Sequence, residues 1–592
     1  MATPLEQALR FIHAGQPARA EPLLRRILQR SPRDAVALRT LASIMQQSGR
    51  MDQAIFNYQQ AAAAAPNDVS ILSDLASTLL DHQQIDEGVT IAQRAVAMAP
   101  SDAGAHMLLG KGLELADQFL AARAAYEQAI AMKPTFAMAH CHLADLLIKM
   151  GEPELAFERA RQTSAHSHNF LHQATTAAFS NYVAGLTPQA VKQEHLETVR
   201  RMDLVAKPSL PPLSSLNIDK NPDRPLRIAF LSPDFVQHSV TYYSEPIISN
   251  LDRAQFELTA VFPSQISDAT TTRLRKLFSR FHVLPEPNEA QVINLLRTDR
   301  IDIAIDIGGY TNSSALWTLR QRICPVQVSY IGYPNTTAIT NIDYRIVDST
   351  TDPVGQAEAL CTERLVRIDP CFLCYGAPAD APPVTPAPCT LIANTPVTFG
   401  SFNFVGKMSR DTKDLWARVL LAVPGSTLLL KEGFFTSADV RAHVRAAFAS
   451  RGVDPERIIM IAKTPSRNEH LALYGRVDIA LDPMPYNGTT TTCEALLMGV
   501  PVLAVEGPSH VSRVSASLLR AVGAEAASLV ARSPDELVNL AVELAADRAR
   551  LAHLRQTLRP TMLASPLCDA PTHAVKFGHA LRTMWQTYCA AT

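Results

Sequence analysis

The chain has 592 residues, 47% of them hydrophobic and 19% charged, so at ~150 residues per domain two to four full-sized cores are expected and a disordered chain is excluded. Lys and Arg total 55 against 56 for Asp and Glu, a formal net charge of -1 with no dense basic run, which argues against a nucleic-acid partner.

The start, residues 1–16, lacks a basic segment followed by an apolar one, and no run of about 18 uninterrupted apolar residues occurs. The expectation is an unexported, cytoplasmic protein with no membrane partner. Nine cysteines form no disulfide framework, and Cys371 and Cys374 lack the further ligands of a zinc site, so reduced thiols and no metal are expected.

Prolines recur at Pro32, Pro66, Pro100 and Pro134, 34 residues apart, each followed by a polar helix start. In the same register Ala42, Ala76, Gly110 and Ala144 mark one helix, and Ala20, Ala54, Gly88, Ala122 and Ala156 a second; small side chains let helices approach closely. Gly15, Gly49 and Gly151 occupy the intervening turn, with Gln83 and Asp117 in two units. The pattern resembles tetratricopeptide repeats and assigns residues 1–168 to them. Stacked, such units form an α-solenoid with a concave face, either a packing or homo-oligomer surface or a groove for an extended protein segment.

Residues 169–206 still read as helix without the repeat phase, and residues 207–225 hold five prolines, so 169–225 is read as a helical transition and Pro-rich linker. Beyond it come LRIAFLS, FELTAVF, FHVLP, IDIAIDIGG and VQVSYIG, separated by helical stretches; this implies a parallel sheet over residues 226–376. A Pro-rich connector, 377–396, precedes a second series, VTFGSF, STLLLK, RIIMIA, DIALD and PVLAV, over 397–565, and residues 566–592 read as a closing helix. Two doubly wound domains bind a ligand in the cleft outside their strands' carboxyl ends. No GxGxxG or Walker A pattern follows either first strand, which disfavours a dehydrogenase or ATPase.

The most informative segment, DPMPYNGTTTTCEALLMGVP (482–501), leaves a strand, turns at Asn487-Gly488 and enters a helix at its threonines. Free N–H groups and the positive helix end attract an anion there, and Thr490 and Thr491 add hydroxyls, so a diphosphate fits; plain N-capping by threonine is the alternative. Glu494, one turn on, is placed to accept ribose hydroxyls or is simply solvated.

These residues, with SPDFVQHSV (232–240), DIGGYT (306–311), CPVQVSYIGYPNTT (324–337), IDYRIVD (342–348), FGSFNFVGKMS (399–409) and SPLCDAP (565–571), carry a resemblance. The whole chain is similar to the O-GlcNAc transferase and SPINDLY family of tetratricopeptide-repeat protein O-glycosyltransferases, and looks closest to its SPINDLY branch. The resemblance implies a GT-B fold of two Rossmann-like domains. It further implies inverting, metal-independent transfer from a nucleotide sugar to Ser or Thr of proteins, with no cofactor besides the donor substrate. By the same resemblance Lys407 is the leaving-group lysine, His238 the base or an orienter, and His470 the histidine beside the ribose or base. Asn403, Tyr486, Gly488, Thr489, Thr490, Thr491 and Glu494 fall on the nucleotide-sugar side, and Tyr310 and Thr311 on the acceptor side.

Some positions depart from the O-GlcNAc transferases. Thr489 stands for a histidine, Tyr486 for a cysteine beside the sugar, Phe404 for a glutamine and Leu473 for an arginine. These changes rank GDP-fucose ahead of UDP-GlcNAc as donor. The remaining alternatives are a repeat scaffold carrying an inactive transferase and an enzyme acting on a small nucleotide sugar.

Overall fold

The computed structural model describes residues 3–205, 207, 210–213, 218–285, 288–311 and 314–591. It divides into two compact units, residues 1–147 with 436–440, and residues 148–435 with 441–592.

The first unit is a stack of antiparallel helix pairs: Pro4–His13 with Pro17–Arg30, Ala35–Gln47 with Met51–Ala64, Val69–Asp81 with Ile85–Met98, and Ala103–Leu115 with Phe119–Met132. The 34-residue spacing repeats a capping device. Asp34, Asp68 and Asp102, each two residues after a repeat proline, accept the N–H of Ala37, Ser70 and Gly104 at 3.0, 2.9 and 2.7 Å and satisfy a first-turn donor. Gln83 and Asp117 adopt the left-handed conformation at φ 63° and 59°, as Gly15 and Gly49 do at the same turn of other repeats. The small positions are the packing contacts: a Cβ on Gly110 would lie 2.5 Å from the Tyr126 ring, and Ala20, Ala42, Ala54 and Ala76 are wholly buried.

In the second unit, two all-parallel sheets follow one plan. The first holds β1 (Leu226–Leu231), β2 (Phe256–Phe262), β3 (Arg280–Val283), β4 (Ile303–Asp306), β5 (Val326–Ser329), β6 (Tyr344–Val347) and β7 (Arg364–Arg367), in the order β3-β2-β1-β4-β5-β6-β7. The second holds β8 (Thr398–Ser401), β9 (Thr427–Lys431), β10 (Ile458–Ile461), β11 (Ile479–Leu481), β12 (Val502–Val505) and β13 (Val530–Ala531), in the order β10-β9-β8-β11-β12-β13. In each sheet the order of strands changes direction once, between β1 and β4 and between β8 and β11, while every strand stays parallel. At such a switch point the neighbouring loops part and leave a crevice at the carboxyl ends of the strands.

Helices Phe170–Ser180 and Pro188–Met202, which lie in the stretch read as a transition, pack into the first sheet's core: Ala174, Ala177 and Met202 join Leu231, Val261 and Leu319 there. His195 within the second of these helices is fully buried, its Nδ1 on the Val191 carbonyl at 2.7 Å and its Nε2 2.6 Å from the Tyr333 hydroxyl. Burial holds its imidazole down at about 4, hence neutral. The 34-residue repeat phase is lost over these residues because these helices also pack into a sheet, as repeat helices do not. No helix among the described residues is long and apolar enough to cross a membrane.

The loops under the site are drawn in by backbone contact. Gly309, at φ 60°, receives the Tyr333 side chain, and a Cβ on Gly332 would sit 2.1 Å from the Ile307 carbonyl oxygen. On the other sheet, Arg555 in helix Arg548–Leu563 is 2% exposed and donates to the carbonyls of Met498, at 3.2 Å, and Val477. It satisfies carbonyls just past the end of helix Thr490–Leu497 and ahead of β11. Arg555→Ala removes that pairing and leaves a cavity, at a cost of about 3 kcal/mol. Calorimetric unfolding is expected to register it, and a loss under ~0.5 kcal/mol would show that water replaces the guanidinium.

Candidate active site

The loops after β1, β8 and β11 at the two switch points contribute to one cleft of about 400 Å³. The loop after β1 supplies His238; the loop after β8 supplies Asn403, Phe404 and Lys407; the loop after β11 supplies Tyr486 and Thr489 to Thr491. Seven of the residues singled out in the sequence therefore share one cavity: His238, Asn403, Lys407, Tyr486, Thr489, Thr490 and Thr491.

The turn at 487–488 is fixed from several sides. Gly488 donates its N–H to Asp482 Oδ1 at 2.7 Å, Ser515 donates to the Gly488 carbonyl at 3.0 Å, and Asn487 donates its N–H to Val511 at 3.1 Å. The Lys407 ammonium donates to the Asn487 carbonyl at 2.7 Å and lies 4.2 Å from the Tyr486 ring centroid. Loss of hydration lowers the pKa of Lys407 and raises that of Asp482, while their mutual attraction opposes both shifts.

Helix Thr490–Leu497 begins at this turn. Thr489 at its N-cap makes no side-chain capping bond, so capping does not account for the threonine run. Thr491 instead donates its hydroxyl to Asn403 Oδ1 at 2.9 Å and ties the β8 loop to the helix start. An ammonium, a helix start and threonine side chains border one cavity, an arrangement whose electrostatics favour an anion.

His470 and Glu494 lie behind this turn, bonded to one another. Lys431, at the carboxyl end of β9, donates to His470 Nδ1 at 2.8 Å, and His470 Nε2–H donates to Glu494 Oε2 at 2.9 Å. The ammonium can only donate, so it fixes the ring's tautomer. Sequence reasoning missed Lys431, although a lysine ending an apolar strand at the ligand-facing edge is a readable signal. Its own pKa falls through burial, with Glu494 opposing.

His238 is nearly half exposed and receives the Val240 N–H on Nδ1 at 3.3 Å, while Asp234 Oδ1 lies 3.6 Å from the same nitrogen, beyond hydrogen-bonding range. Burial raises the Asp234 carboxyl and the imidazole opposes it. Tyr310 does not line the cleft as the acceptor-side reading expected: it is 3% exposed, donates its hydroxyl to the Thr337 carbonyl at 2.6 Å and packs edge-on to Tyr333. The three-residue turn Gly309–Thr311 aims it into the core. The side chain of Thr311 lies outside the described residues.

Two wall residues escaped the sequence reading. Tyr182, between the two helices that cover the first sheet, packs against Tyr486 with the rings tilted by 34° and their centroids 4.6 Å apart, and meets Phe404 edge-on at 6.4 Å. His510, in the loop after β12, is 6% exposed and lines the same cleft.

The model of glycosyl transferase family 41 matches residues 157–376 and 384–577, and a tetratricopeptide repeat model matches 11–56 and 47–112. Among curated proteins, the probable UDP-N-acetylglucosamine–peptide N-acetylglucosaminyltransferase SPINDLY of Arabidopsis thaliana is 39% identical over 374 residues, 62% of this chain and 40% of that one. The protein of the same name in Oryza sativa subsp. japonica is 36% identical over 438 residues, 73% of this chain and 46% of that one. The UDP-N-acetylglucosamine–peptide N-acetylglucosaminyltransferase of Caenorhabditis elegans is 24% identical, over 61% of this chain and 41% of that one. The chain thus spans less than half the length of these curated relatives. Among solved structures, a lysine-to-methionine mutant of the Thermobaculum terrenum O-GlcNAc transferase superposes with a TM-score of 0.78 at 30% identity, covering 89% of this chain and 99% of that one.

A Cβ at position 488 would lie 2.6 to 2.8 Å from Thr492 Oγ1, Asp482 Oδ1 and Thr491 Oγ1, so Gly488→Ala must displace the turn. Calorimetric titration with GDP and UDP is expected to show at least about a tenfold loss of affinity, or ~1.4 kcal/mol. Unchanged affinity would mean that the diphosphate is held elsewhere.

Proposed function

The chain belongs to glycosyl transferase family 41, and from that premise we propose that it is a protein O-glycosyltransferase, inverting and metal-independent, that moves a sugar from a nucleotide sugar to Ser or Thr of a protein held by its repeats. The observation that carries this reading is the convergence of Lys407 and the start of helix Thr490–Leu497 on one cleft at facing switch points.

In the proposed reaction the acceptor hydroxyl attacks the anomeric carbon from the side opposite the diphosphate, the bond from that carbon to the phosphate oxygen breaks, and the electron pair leaves with the nucleoside diphosphate. Charge builds on that oxygen, where the Lys407 ammonium and the helix-start N–H groups stabilise it without a metal. An arriving diphosphate also favours the charged state of Lys407, against which burial works. Thr490 supplies a hydroxyl, Thr491 holds the helix start through Asn403, and we assign the Lys431–His470–Glu494 chain to the nucleoside. His238, whose Nδ1 is occupied by a backbone donor, presents Nε2–H to the substrates.

For the donor we rank GDP-fucose ahead of UDP-GlcNAc, although the curated relatives are named for UDP-N-acetylglucosamine. The support is the aromatic wall: Tyr486 backed by Tyr182, with Phe404 beside them, leaves a bulky face toward the sugar and no imidazole at Thr489. A steric clash with the wall and a polar group left unpaired each cost on the order of 1–3 kcal/mol against a 2-acetamido sugar.

Intact-mass analysis of a Ser/Thr-rich protein incubated with enzyme and GDP-fucose or UDP-GlcNAc tests the proposal, and no mass addition from any nucleotide sugar overturns it. Lys407→Ala is expected to lower that transfer by about 10² to 10³ while nucleotide affinity changes much less, and unchanged turnover would remove Lys407 from the chemistry. Competition calorimetry with the free diphosphates is expected to favour GDP. UDP binding tenfold tighter would reverse the donor ranking.

A further inference from the structure

The cleft contains a second histidine, and the two differ in which nitrogen is available. His510 Nδ1 lies 2.5 Å from Asp352 Oδ2, and the other carboxylate oxygen lies 3.5 Å from the Arg345 guanidinium. The neighbouring imidazole and guanidinium hold Asp352 well below the usual carboxylate range despite its burial, so this carboxylate accepts and Nδ1 carries the proton. His510 Nε2 is then the unprotonated nitrogen, and it has no hydrogen-bond partner among the described residues. The ring lines both the main cleft and a small cavity of about 50 Å³ that Arg345 and Asp352 also line, so it divides the two. Phe372 holds it edge-on at 5.1 Å.

In His238 the arrangement is reversed. The Val240 N–H can only donate, so Nδ1 is the lone-pair nitrogen and the proton sits on Nε2, with Asp234 too distant to turn the ring into a dyad. A general base needs its free nitrogen in the cavity, and a carboxylate on the other nitrogen fixes the tautomer and stabilises the imidazolium that forms.

We infer that His510, oriented by Asp352, is the catalytic base of the transfer, and that His238 serves as a hydrogen-bond donor to the substrates. The assignment rests on the glycosyl-transfer reading above. The acceptor O–H proton passes to His510 Nε2, the acceptor oxygen bonds to the anomeric carbon, and the bond from that carbon to the phosphate oxygen breaks with its electron pair leaving on the diphosphate; the imidazolium then returns its proton to solvent. Asp352 and Arg345 come from the first sheet's lobe and His510 from the second, so the base is assembled only where the lobes meet.

Donor turnover by the full chain tests this, read as GDP or UDP release from GDP-fucose or UDP-GlcNAc with water or dephosphorylated casein as acceptor. His510→Ala, His510→Gln and Asp352→Asn are expected to lower turnover about 10²- to 10⁴-fold. Affinity for the free diphosphate should stay within about threefold, which also reports an intact cleft. The groups facing His510 are Asp352, Arg345 and Asp348, with Lys407 and His238 in the same cleft. The acid limb of the pH–rate profile is therefore expected to persist in His238→Ala and to vanish from the residual rate of His510→Ala. Turnover within about threefold of wild type in either His510 variant overturns the inference, as does parallel loss of diphosphate binding and turnover in all three, which would make the pair a latch between lobes. A wild-type enzyme that turns over neither donor overturns the glycosyl-transfer reading and this assignment with it.

Discussion

A backbone carbonyl held by an ammonium group sets the geometry on which the site depends. The Asn487 carbonyl takes a hydrogen bond from Lys407, and the next N–H is taken by the buried Asp482 carboxylate. A turn pinned from both sides cannot relax onto its own side chains, so the start of the following helix stays directed at the cavity. The opposed charges of Lys407 and Asp482 are tolerable in this interior because their attraction offsets part of the cost of desolvating each. Neither the aromatic wall nor the His470 chain would have a fixed reference without that turn.

The two sheets supply the same local solution twice. Reversal of the strand order at β1/β4 and at β8/β11 opens a crevice at each carboxyl edge, and the second unit turns both crevices to one cavity. The first crevice contributes shape through close backbone contact at Gly309 and Gly332; the second contributes charge through Lys407 and the helix start. A shaped face and a charged face of the cleft thus come from separate sheets.

The sequence disclosed whatever was local. The 34-residue spacing identified the repeats because each unit repeats the same cap and the same close contact, and the apolar strands from β1 to β5 and β8 to β12 stood out as continuous runs. Strands β6 and β7 carry arginines, and β13 has only two residues, so no hydrophobic run announces them. The loops that bear Lys407 and the threonines were legible because residue type and position agreed with the needs of an anion. Asp352 and His510 are 158 residues apart, and only the closure of two lobes makes them a pair. Tyr310 misled for the opposite reason: its motif is a loop after a strand, but a single left-handed glycine turns the side chain inward.

The last helix, Ala570–Ala590, follows the second sheet in sequence but packs on the first lobe, where Gly578 meets Phe256, Phe577 meets Tyr330, and Trp585 donates to the Asn221 carbonyl at 3.1 Å. The first lobe is therefore discontinuous in the gene, its cover encoded after the entire second lobe. A nascent chain released only as far as the connector would expose the strip that Phe577 and Trp585 later conceal. Exchange of lobes between relatives must likewise carry this terminal piece with the first half, so the natural unit of recombination is a pair of segments rather than a contiguous block.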